Sequence, residues 1–154
     1  MDIETNQLLE DFLKIAKLAY IDLSKINASY ESLTAPHNPP KRLPKGKMAV
    51  YVFIYKGQAL KVGKVGPKSQ ARYTSQHYNP NSSRSNLAKS LIEKGFSYGF
   101  PNINEENVTS WIMKNTDRYN FTISASSGKH VLSLLEAYLQ CRLKPVFEGF
   151  ASQK

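Results

Sequence analysis

The chain has a single cysteine, no long apolar run, and no acidic residue between Glu31 and Glu93. With Cys141 alone, an intramolecular disulfide is excluded and a reducing compartment fits. His37, His77 and His130 are far apart in sequence. None has a cysteine or second histidine at ligand spacing, which argues against zinc and leaves open a hard divalent ion on a carboxylate. No stretch of about 18 apolar residues is present, and no basic segment follows Met1-Asp-Ile-Glu-Thr5, so neither a membrane span nor a secretory leader is expected. The expectation is a cytoplasmic protein without a membrane partner.

What is present is positive charge. Residues 32–92 hold eleven lysines and arginines, interleaved with Tyr51, Tyr55, Tyr73, His77 and Tyr78. The whole chain carries a formal charge of +9. A surface free of carboxylates does not repel phosphate, and each cation that meets one releases a counterion. A nucleic acid is therefore the expected partner, the alternative being a basic face that is merely solvated. The 154 residues suit one domain, which at this size buries roughly 68–70% of its unfolded surface.

Hydrophobic spacing predicts a helix from about Asn6 to Asn27, capped by Thr5, whose apolar face packs on its own domain or on a second copy. Pro36, Pro39 and Pro40 then break the chain, and Lys41–Lys47 is a basic linker. Met48–Tyr55 and Ala59–Lys64 read as strands joined by a three-residue loop, Lys56-Gly57-Gln58. In that register Tyr51 lies opposite Gly63 and Phe53 opposite Lys61. Tyr51, Tyr55, Lys61 and Gly63 share a face that a core does not need, and Val50, Val52, Ile54, Leu60 and Val62 share the core face. Helices are expected over Lys68–Gln76, Ser85–Lys94 and Glu105–Lys114, a third strand over Arg118–Ser124, and a last helix from a Ser127 cap to Leu143.

On that last helix Leu132, Leu135, Leu139 and Leu143 form an apolar stripe, and Glu136 projects along its edge. An ionised carboxylate there needs a partner, either a lysine or a metal ion. Gly63–Ser69 does not make a phosphate-binding loop of the nucleotide-hydrolase type, because its spacing is wrong and Pro67 precedes Lys68. The segment Ser82–Lys89 is expected to begin a helix whose first amides, with Arg84 and Lys89, grip a backbone phosphate.

The order Ala49-Val50-Tyr51, Lys61-Val62-Gly63, Arg72 on the next helix and Glu136 on a late helix resembles the GIY-YIG nuclease family. The likeness spans about Met48 to Pro145. Ala49 stands where the family has glycine, Lys61 where it has the second tyrosine, and no asparagine follows Glu136. The resemblance implies an α+β fold, a three-stranded antiparallel sheet flanked by helices, over residues 41–154, with residues 1–40 as an N-terminal helical extension that could seat a homodimer.

It also implies phosphodiester hydrolysis in DNA with one divalent ion, magnesium or manganese, held by Glu136. Tyr51 would take a proton from the attacking water or orient it, and Arg72 would hold the scissile phosphate. Gly63 would let the backbone approach. Lys61 would supply charge beside Tyr51 or hold the water, as in restriction-enzyme-like members. His77 is the preferred assisting group over Tyr73 and Tyr78, as a proton shuttle. Lys64, Lys68, Tyr73, Arg84 and Lys89 are the expected DNA contacts.

Overall fold

The computed structural model describes residues 4–83 and 85–147. Four antiparallel strands form one sheet in the order β1-β4-β2-β3: β1 Ser29–Leu33, β2 Lys47–Tyr55, β3 Gln58–Val65 and β4 Asp117–Ser124. The three-stranded expectation is therefore corrected to four. β1 escapes a sequence reading because Ser-Tyr-Glu-Ser-Leu is largely exposed at the sheet edge and shows no apolar alternation. The class, α+β, is as expected.

Helix α1 (Thr5–Leu18) is shorter than its pattern suggested. It stops because Tyr20 takes a left-handed conformation at φ 59°, the Tyr20 N–H bonds the Lys17 carbonyl, and the Ile21 N–H reaches back to Ala16. Those two bonds are the closure that glycine normally supplies at a helix end. Thr5 begins the helix and does not cap it, since no side-chain bond closes that end.

The β2–β3 turn has two residues, Lys56 and Gly57, both at positive φ, in place of the three-residue loop expected. The register slips between Phe53 and Ile54, leaving Leu60 as an extra residue. Leu60 consequently joins the Tyr51 face and not the Val50 face. Beyond the slip the pairing is as predicted, Tyr51 against Gly63 and Phe53 against Lys61.

Each sheet face carries its own core. On one, Val50, Val52, Ile54 and Val62 pack with Phe12 and Ala16 of α1 and with Leu132, Leu135 and Leu139 of α5 (Lys129–Leu143). The apolar face of α1 is thus used within the same chain. On the other, Ala49, Tyr51, Phe53 and Leu60 are covered by Tyr73 of α2 (Gln70–Thr74), by Leu87, Ala88 and Leu91 of α3 (Leu87–Lys94), and by Val108 and Ile112 of α4 (Val108–Asn115). The tyrosine-bearing face is therefore also a core, and Tyr51 is fully buried. Among the described residues, no helix is long and apolar enough to cross a membrane.

Candidate active site

Two alternate rungs of the sheet, two residues apart along each strand, set out the site. One runs across all four strands as Glu31, Asn120, Tyr51 and Gly63, and the next as Leu33, Arg118, Phe53 and Lys61. Side chains alternate along a strand, so Asn120 and Arg118 share the face of Tyr51, while Tyr119, Phe121 and Ile123 take the other.

Gly63 makes room for the phenol. A Cβ built there would collide with Tyr51 Oη and lie 2.5 Å from its Cζ. Glycine at this position thus lets the tyrosine ring cross the neighbouring strand. α2 then brings Arg72 over it: Nη2 donates to Tyr51 Oη at 3.1 Å, and the guanidinium lies 5.9 Å from the ring centroid. Arg72 Nη1 also donates to the Ser85 carbonyl (3.4 Å), and Lys61 Nζ donates to Ser85 Oγ (3.2 Å). Lys61 is only 3% exposed. Tyr51, Gly63, Lys61 and Arg72 are therefore brought together, with Ser85 between the two cations.

His77 belongs to the same cluster, its ring tilted by 49° against that of Tyr51 with 4.1 Å between centroids. It is fully buried, and its Nδ1 accepts the Leu87 N–H at 3.4 Å. Among the described residues its Nε2 has no partner. Burial first, then the charges of Arg118, Arg72 and Lys61, hold its pKa well below the ordinary histidine range. It is a neutral imidazole walled off from water.

Taken alone, Arg118 carries no distinctive signal in the sequence, yet it is among the largest fully buried side chains of the described residues. Its Nε donates to Asn120 Oδ1 (2.8 Å), Nη2 to the Tyr73 carbonyl (2.6 Å) and Nη1 to Tyr78 Oη (3.4 Å). The rings of Tyr51, Phe53, Tyr73 and Tyr78 surround the guanidinium at 5.1–5.8 Å. Among the described residues no carboxylate bridges it or Arg72. Glu31 accepts from Asn120 Nδ2 (3.4 Å) and from the Tyr73 hydroxyl (3.3 Å). The available signal was the polar pair Arg118 and Asn120, two residues apart opposite the apolar positions of β4.

Other expected residues lie elsewhere. Tyr73 is buried, and burial followed by the Glu31 charge raises its hydroxyl to about 12, so it does not present a surface to DNA. Lys64 and Lys68 are exposed and Lys89 half-buried. Two first-turn amides of α3 are already engaged, Leu87 N–H by His77 and Lys89 N–H by the Asn86 cap. Arg84 lies outside the described residues.

Glu136 sits half-buried on α5, which packs on the Val50–Val62 face, and its Oε1 is 3.7 Å from Lys64 Nζ. Lys64 also donates to Ser133 Oγ at 3.2 Å. Glu136 and the Tyr51 cluster thus approach β3 from opposite sheet faces, and β3 is a terminal strand of the sheet. Among the described residues no three His, Cys, Asp or Glu side chains gather as a ligand set. A lone, partly open carboxylate fits a hard ion that draws its remaining ligands from water and phosphate, and not zinc. Comparison with known proteins finds no matching family model, no similar curated protein and no similar solved structure.

Proposed function

We propose that the chain is a divalent-metal-dependent DNA endonuclease of the GIY-YIG kind, in the form where lysine replaces the second motif tyrosine. The observation that carries this reading is the Arg72–Tyr51 hydrogen bond over Gly63, with Lys61 converging on the same serine. A core does not need a phenol, a guanidinium and an ammonium in one cluster. A phosphoryl group arriving there would meet donors already oriented, which is how charge building on phosphate oxygens is stabilised.

In this scheme a water oxygen attacks phosphorus and passes a proton to Tyr51 Oη, or is oriented by it. The bond to the 3′ oxygen breaks, and that oxygen leaves with the electron pair and takes a proton from solvent. Arg72 holds a non-bridging oxygen, and Lys61 adds positive charge beside the phenol or holds the water. His77 packs against Tyr51 and is the neutral imidazole beside it that would assist proton movement. Glu136 would hold the ion, which when bound supplies Lewis-acid neutralisation of the leaving oxygen.

One observation favours a second reading, a non-catalytic nucleic-acid-binding module: Glu136 already pairs with Lys64. A plasmid-nicking assay with magnesium, manganese or EDTA separates the two. Arg72→Ala and Glu136→Ala should each lose about two to three orders of magnitude in cleavage, with DNA binding kept in the Glu136 variant. Equal cutting by parent and variants would overturn the site. No cutting by the parent with either metal would leave the binding module.

A further inference from the structure

Arg118 is a charge buried where the fold would be served as well by an apolar side chain of similar volume, because desolvating an ion is costly and none of its described partners is a carboxylate bridge. Its three hydrogen bonds go to a carbonyl, an amide and a phenol, which satisfy the guanidinium without neutralising it. The full charge therefore acts on its surroundings. The nearest groups with ionisable chemistry are tyrosines, and one of them is Tyr51, whose ring centroid is 5.7 Å from the guanidinium carbon.

We propose that Arg118 is a positioning residue for Tyr51: its permanent charge, anchored by Asn120, Tyr73 and Tyr78, fixes the phenol ring over Gly63 and favours the phenolate. This rests on the nuclease reading for its purpose, though not for its physics. A guanidinium stays protonated at every working pH, so the field on the phenol is constant. A cation close to a phenol favours its ionised form, while burial opposes it, as it does at Tyr73 and Tyr78 beside the same guanidinium.

Among the described residues, the charged and titratable groups around Tyr51 are Arg72 from α2, Lys61 from β3, His77 after α2, and Arg118 from β4. His77 is neutral, and the other three are cations. Glu31, at the far end of the rung, touches Asn120 and Tyr73 and not Tyr51. Arg72 is only half-buried and, in the proposed reaction, would be drawn to phosphate. Arg118 cannot leave, so it keeps acting on Tyr51 when Arg72 is occupied.

The test is a pH titration of the full chain labelled with tyrosine carrying carbon-13 at Cζ, the Tyr51 signal being assigned by its loss in Tyr51→Phe. In the parent, Tyr51 should titrate below Tyr73, which burial and the Glu31 charge raise to about 12. In Arg118→Met its titration should move to higher pH, and Arg118→Lys should recover part of that displacement. Titration of parent Tyr51 at or above Tyr73 overturns the proposal without any variant having to fold. So does an unmoved Tyr51 signal in folded Arg118→Met. Where the parent nicks DNA, the acid limb of its pH–rate profile should follow the Tyr51 titration and shift with Arg118→Lys, whereas a limb that ignores Arg118 overturns it. A parent that does not cut refutes the nuclease reading and leaves the phenol titration to decide this one.

Discussion

Gly63 shows how much a missing atom can specify. Nothing about its backbone requires glycine through a left-handed φ. The requirement comes from the Tyr51 ring, which fills the space a Cβ would take. Gly63→Ala should therefore act through the tyrosine. Either the ring is displaced, breaking the Arg72 bond, or the strands spread apart, and overpacking of this kind costs about 1–3 kcal/mol. Chemical denaturation should show that loss together with a fall in nicking. Adding Tyr51→Leu to Gly63→Ala should cost less stability than the sum of the single changes, because the clash is then relieved. Additive stabilities would mean that the glycine is there for another reason.

At the scale of elements, the end of α1 gives a test of backbone strain. Tyr20 holds a left-handed conformation, is 98% exposed, and contributes no packing that its loss would forfeit. A left-handed residue other than glycine costs roughly 1–2 kcal/mol, part of which glycine returns as chain entropy. Tyr20→Gly should thus stabilise the protein by about 0.5–1 kcal/mol, a rise of roughly 1–4 °C in Tm, and an unchanged or lower Tm would refute this account of the helix end. The same residue explains why the sequence suggested a longer helix: apolar residues continue at helical spacing through Ile21 and Leu23, and no glycine marks the stop. The β2–β3 pairing was legible because a period of two leaves a single register that puts Val50, Val52 and Val62 inward. β1 was not legible, since an edge strand of polar residues carries no periodicity. Within the site, Tyr51, Gly63, Lys61 and Arg72 could be placed from hairpin register and one helix. The roles of Arg118, Asn120 and Glu31 could not, because they depend on which strand lies beside β2. The lysine pairing of Glu136 was one of two readings its position allowed, and choosing between them requires knowing where Lys64 points.

For the molecule as a whole, the acid-poor window divides into charges that face water and charges that do not. Lys61 is buried, as is Arg118 on β4, well beyond the window, so neither adds to a counterion-releasing surface. Lys64, Lys68, Arg72 and Lys89 remain at least partly open. If these four meet phosphates, the logarithm of DNA affinity should fall with the logarithm of salt at a slope of about −3.6, or about 150-fold between 50 and 200 mM. Lys68→Ala should reduce the slope by about 0.9, whatever the DNA sequence. Tyr73→Phe should leave it unchanged, since that hydroxyl is turned inward to Glu31. Fluorescence anisotropy on a labelled duplex across a salt series measures all three. A slope near zero would mean that the net charge of +9 serves solubility alone. An unaltered slope in Lys68→Ala would place the duplex on a different face. The predicted slope is small for the number of cations in the window because it counts these four contacts alone, and a steeper slope would bring in Lys41, Arg42, Lys45, Lys47 and Lys56, which are also at least partly open.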